Sequence, residues 1–146
     1  SALPVPGKLP IHAAGVAPDP QDNVGLRIRD VTKGKILAYL PAVGAMSDSV
    51  KRTALDADAV FFDGTFWSSD ELIALGVGDK HAEDMAHWPL GGPGGSLKML
   101  RELPAAHRIL IHINNTNPML RDNSTERAAV HEAGVVVAHD GMQVSL

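Results

Sequence analysis

Apolar residues come in short bursts along this chain, and each burst ends in turn-forming or polar residues. Val24, Leu26 and Ile28 alternate with Arg27 and Arg29, which is the period of a half-buried strand with its arginines in solvent. Residues 32–35 read as a turn and 36–40 as the second arm of a hairpin. Ser47, Asp48 and Ser49 cap a short helix that runs to residue 55. An apolar run then climbs from Ala59 to Asp63 and is broken by Gly64-Thr65-Phe66-Trp67. Ser68 and Glu71 have capping-box spacing for a helix from 70 to about 75, closed by Gly76. Leu97 and Leu100, with Met99 and Leu103 beside them, mark a helix over 96–103 that Pro104 ends. Residues 108–113 form a second apolar strand, and it delivers His112. Asn123 and Glu126 cap a helix over 125–133 that Gly134 closes. A buried strand over 135–138 and a last short strand over 142–146 follow. The pattern is α/β with a hairpin-rich start.

Five of the ten prolines fall in residues 1–23, so that segment is expected to be extended and irregular, with His12 a surface-loop residue. The 146 residues suffice for one ordinary domain, and 45% apolar content allows a real core. A net charge of −4, no basic run and only six aromatic residues argue against nucleic-acid binding. No stretch approaches a membrane span or a secretory leader, so the expected location is the cytoplasm. Cysteine is absent, which removes disulfides, thiolate metal sites and a cysteine nucleophile from this chain. Seven histidines and 17 carboxylates leave a nitrogen and oxygen metal site open.

Asp63 sits where an unpaired carboxylate would be costly. Either it caps the following turn through backbone N–H groups or it binds a metal. His112 lies between Ile111 and Ile113, and strand alternation points it away from both. It is either a hydrogen-bonded core histidine or a second ligand. Asn114, Asn115 and Asn117 either form an Asx-rich turn or face a ligand. His87 precedes a loop with four glycines between 91 and 95, where a ligand can approach the backbone closely. There is no His-x-His-x-Asp-His run, no Gly-x-Ser-x-Gly elbow and no phosphate-binding P-loop.

The strings at 63–67 (Asp-Gly-Thr-Phe-Trp), 85–92 (Met-Ala-His-Trp-Pro-Leu-Gly-Gly), 111–118 (Ile-His-Ile-Asn-Asn-Thr-Asn-Pro) and 139–142 (His-Asp-Gly-Met) resemble the C-terminal half of the coenzyme PQQ synthesis protein B family. That family lies in the metallo-β-lactamase superfamily. The resemblance implies that residues 1–146 form one half of an αββα sandwich: a mixed sheet with helices on one face, the N-terminal half being absent. It implies Asp63 and His112 as metal ligands, His87 as a catalytic residue, and Trp88, Asn114 and Asn115 as substrate contacts. The implied chemistry is O2-dependent hydroxylation of the tyrosine in a Glu-Tyr precursor of pyrroloquinoline quinone at Fe(II), which suits such ligands. Two alternatives are a zinc-dependent hydrolase and a carrier that helps move the finished cofactor to the periplasm. The superfamily's His-x-His-x-Asp-His motif and the family's cysteine-bound structural zinc are both missing. The chain alone is therefore expected to bind metal weakly and to be inactive. With one sheet face uncovered, it is expected to need its other half, to aggregate or to form a homo-oligomer.

Overall fold

The structure, a computed structural model, describes residues 1–9, 15–17, 19 and 21–146, so His12 lies outside the described residues. Six strands form one sheet: β1 (Ala2–Pro4), β2 (Val24–Arg29), β3 (Ile36–Leu40), β4 (Ala59–Asp63), β5 (His107–Ile111) and β6 (Val136–Val137). They lie side by side in chain order. The β1–β2 and β2–β3 pairs are antiparallel, and the remaining three pairs are parallel. Parallel neighbours need crossovers, and these carry α1 (Asp48–Leu55), α2 (Glu71–Ala74), α3 (Ser96–Glu102) and α4 (Thr125–Glu132). This is the expected mixed sheet of an α/β fold.

One face of the sheet is dry. Ala38, Leu40, Val60, Phe62 and Leu110 point into it and meet Val50 and Ala54 of α1, Leu100 of α3 and Val130 of α4. Each fully buried large side chain here contributes about 1.5–3 kcal/mol. Capping fixes where the helices begin. Ser47 accepts from Val50 N and Ser124 accepts from Arg127 N, so Ser124 rather than Asn123 caps α4. Gly134 follows α4 with φ +67°, a left-handed stop.

The other face is apolar and open in part. Strand register aligns Leu26, Tyr39, Phe61, Ile109 and Val136 in one row across β2 to β6. Leu26 and Tyr39 are each 39% exposed and Val136 is 49% exposed, whereas Phe61 is half-buried and Ile109 is buried, so the face is open toward β2, β3 and β6 and covered near Ile109. This corrects the reading of β2, whose apolar residues face outward. Gly25 is its buried residue, with Leu40 packed where a Cβ would stand, while Arg27 is half-buried and Arg29 exposed.

Other expectations also shift. The irregular start contains β1, an edge strand compatible with Pro4. The strand near 135–138 is a two-residue edge with Val136 exposed, and 142–146 forms no strand. The strand carrying His112 stops at Ile111, and His112 follows in the left-handed region at φ +55°. Alternation therefore does not set its direction. Glu71 does not close a capping box, because Asp70 caps α2 without a side-chain bond and the Glu71 carboxylate is buried elsewhere.

Candidate metal centre

Parallel strands end on one rim, so the loops leaving β3, β4 and β5 emerge together. Asp63 is the last residue of β4 and is wholly buried. Each of its oxygens is held twice. Oδ2 accepts from Val43 N at 2.9 Å, in the loop after β3, and from His87 Nδ1 at 2.7 Å. Oδ1 accepts from Thr65 N at 3.0 Å and from Thr65 Oγ1 at 2.6 Å.

These bonds fix the protons. A carboxylate only accepts, so His87 carries its hydrogen on Nδ1 and keeps Nε2 free. Thr65 spends its one proton on Asp63, so at 2.9 Å it accepts from His112 Nδ1. The carbonyl of His112 lies 2.8 Å from the same hydroxyl, but the charged carboxylate is the stronger acceptor. His112 Nε2 is then free as well. The two imidazole centroids are 5.3 Å apart, and Phe66 meets His87 edge-on at 5.8 Å. One donor atom from each of Asp63, His87 and His112 lies within 4.8 Å of the others. The structure thus places His87, expected as a catalytic residue, beside the two expected ligands.

Electrostatics follow from this packing. Burial pushes the Asp63 carboxyl up, but His112, His87 and Thr65 together outweigh it and hold it at about 2. His112 Nδ1 is 4.0 Å from Asp63, too far for a direct bond, so its influence runs through the Thr65 hydroxyl. In return Asp63 holds the His112 imidazolium above its ordinary range against the opposing effect of burial.

Close approach of the loops requires Gly64. A Cβ there would lie 3.1 Å from Ile111 O and 3.2 Å from Ile113 Cγ1. Asn117, also buried, donates to Gly64 O at 3.0 Å and caps the turn over Pro118–Leu120 by accepting from Met119 N. Ala86, just before His87, adopts φ +62°. Of the two left-handed non-glycine residues among those described, His112 belongs to the cluster and Ala86 adjoins it, as strained backbone at functional sites tends to do.

The other expected contacts are more scattered. Asn114 takes part in the rim through a bond from its N to Thr65 O at 3.1 Å, and Asn115 is exposed. Trp88 is half-buried and donates from Nε1 to Gly94 O at 2.8 Å. It walls a groove of about 350 Å³ with Trp67, Glu83 and the glycine loop, and none of the three clustered residues lines that groove. Thr65 and Glu71 were missed in the sequence. Thr65 had a signal, a hydroxyl two residues after a carboxylate in a turn, whereas the role of Glu71 depends on a residue 45 positions away.

A family model described as Beta-lactamase superfamily domain matches residues 1–113. The chain is 48% identical over 130 residues to coenzyme PQQ synthesis protein B of Cupriavidus taiwanensis, covering 89% of this chain and 43% of the relative. It is 46% identical to the protein of the same name from Cupriavidus necator, covering 100% of this chain and 48% of the relative. Among solved structures, Zn(2+)-bound PqqB from Methylobacterium extorquens superposes with a TM-score of 0.90 at 37% identity, over 100% of this chain and 50% of that one. The chain spans about half the length of these relatives and corresponds to their C-terminal half.

Proposed function

The chain belongs to the β-lactamase superfamily, and from that premise we propose that it serves the synthesis of coenzyme PQQ as the half of a metal-dependent hydroxylase that supplies Asp63, His87 and His112. The observation carrying this reading is the convergence of one carboxylate and two imidazoles, each with a donor atom within 4.8 Å of the others, on the rim of the sheet.

The donor set fits a metal. Two neutral imidazoles and one carboxylate, with no thiolate, suit Fe(II) or zinc. Bound there, Fe(II) would supply redox chemistry with O2 toward the tyrosine ring of a Glu-Tyr precursor. The protein's part is to prepare the ligands. Asp63 stays ionised through a wide pH range, and its bond to His87 fixes the Nδ1–H tautomer, so that in the neutral ring Nε2 is the nitrogen left for coordination. Thr65 does the same for Nε2 of His112. All four acceptor positions of Asp63 are already filled, so Asp63 would hold a metal only by giving up one of these hydrogen bonds. Three ligands with solvent-facing room leave space for ligands from a second half. In this reading the domain comprises residues 1–146 and a partner half that lays its own sheet on the open face. Asn114, Asn115 and Trp88 contact the substrate, and the protein works in the cytoplasm. No helix among the described residues is long and apolar enough to cross a membrane.

A zinc-dependent hydrolase is the second reading, favoured by the zinc named for the M. extorquens protein. Anaerobic purification of the full-length protein, with iron and zinc measured, separates the two. Incubation with Glu-Tyr under labelled O2 is expected to place label in the tyrosine ring. Cleavage of the peptide without O2 uptake would establish the hydrolase instead.

A further inference from the structure

Glu71 is a buried carboxylate outside the metal cluster, 5% exposed, at the start of a four-residue helix. Its Oε2 accepts from Trp67 N at 2.7 Å, and its Oε1 accepts from Thr116 Oγ1 at 2.5 Å. Thr116 Oγ1 in turn lies 2.6 Å from Asn114 Nδ2. Trp67 and Thr116 belong to the two loops that carry the cluster, so Glu71 ties the loop after β4 to the loop after β5.

Proton counting gives this tie a direction. The Trp67 amide can only donate, and a carboxylate can only accept. The single Thr116 proton is therefore spent on Glu71. Thr116 can then only accept from Asn114, so the Asn114 carboxamide must turn its NH2 toward Thr116. Its carbonyl Oδ1 is left facing outward, and among the described residues no group donates to it. Asn114 stands two residues beyond His112 and is anchored to Thr65 O, beside the cluster.

We infer that Glu71 is a positioning residue that locks Asn114 with its acceptor outward, so that the rim selects substrates offering a hydrogen-bond donor. Resting on the function proposed above, that donor is the phenol hydroxyl of Glu-Tyr. The lock is reversible by one atom. In Glu71→Gln the introduced carboxamide must still accept from Trp67 N with its oxygen, which puts its NH2 against Thr116. Thr116 then accepts there and turns its proton to Asn114. The Asn114 carboxamide flips and presents a donor instead, with the packing almost unchanged.

The test uses the full-length protein. In selectively labelled wild type, an NOE is expected between the Asn114 side-chain NH2 and the Thr116 methyl, and Glu71→Gln is expected to lose it. Glu-Tyr is expected to bind wild type about tenfold more tightly than its O-methyl ether, the worth of one hydrogen bond. In Glu71→Gln that ratio falls to one or inverts, which a merely structural role would not produce. Should Glu71→Gln fail to fold, Thr116→Val breaks the lock and Thr116→Ser preserves it, with the same binding ratio and with the NOE read to the β-hydrogens of residue 116, which both variants keep. An NOE retained in Glu71→Gln or Thr116→Val overturns the lock. An NOE lost with the binding ratio unchanged overturns the selection by Asn114. An NOE lost as expected, with neither compound binding the wild type, overturns the substrate reading of the rim while the lock stands.

Discussion

Asp63 and His112 are opposite ends of one hydrogen-bonded relay through Thr65, and this makes their effects on stability run in opposite senses with pH. Asp63 is depressed from 3.8 to about 2 in the fold. Its contribution, about 2 kcal/mol, is present above 3.8 and lost as pH falls toward 2. His112 is raised above 6.5. Its contribution is present below 6.5 and lost as pH rises through its folded value. Urea midpoints of the metal-free protein are therefore expected to decline on both sides of a plateau between these limits. Asp63→Asn is expected to flatten the acid limb, and His112→Ala the alkaline one. Alkaline limbs identical in wild type and His112→Ala would sink the relay. Asp63 was legible in the sequence because a carboxylate at the end of an apolar strand is conspicuous. The proton on each imidazole was not, since it depends on which acceptor each Nδ1 meets.

At the scale of elements, the rim works because β4 and β5 run parallel in register, Asp63 beside Ile111, and Gly64 lets their loops close. The neighbour that a methyl at residue 64 would press on is the Ile111 carbonyl, which already accepts from Gly64 N at 2.8 Å. Backbone in a ladder yields less readily than a side chain. Gly64→Ala is expected to cost about 1–3 kcal/mol by overpacking and to weaken metal binding by parting Asp63 from His112. Denaturant unfolding and metal titration on the same sample check both. Wild-type metal affinity in a clearly destabilised Gly64→Ala would separate the loops' closeness from the site. The positions of β2 to β5 and most helix limits were readable from periodicity and caps. The facing of β2 was not. Alternation gives two faces and says only that one is apolar. The choice here was made by Gly25, whose missing side chain leaves space for Leu40.

For the whole molecule, the row from Leu26 to Val136 makes the sheet two-sided in character, with one side buried under helices and the other apolar and open at Leu26, Tyr39 and Val136, although Ile109 within it is buried. Residues 1–146 expressed alone are expected to bind a hydrophobic dye and to self-associate. The double change Leu26→Lys and Val136→Lys is expected to reduce both while leaving the far-ultraviolet spectrum intact. Sedimentation and dye fluorescence report the outcome, and a monomeric chain that unfolds sharply without binding dye would count against the open face. An uncovered face was expected from the resemblance to half of a sandwich, whereas which residues occupy it follows from register, which a single sequence does not reveal.

The strands also lie across the sheet in the order in which they are made. Each new strand therefore pairs with the one synthesised just before it, and none has to wait for a later partner or wedge between two already joined. During synthesis, domains form from the N-terminal side onward, so this sheet can grow along one edge as the chain leaves the ribosome. Asp63 and Thr65 emerge first, His87 follows, and the relay closes when His112 arrives. The candidate metal centre is thus assembled late and in sequence, on a scaffold already laid down to receive it.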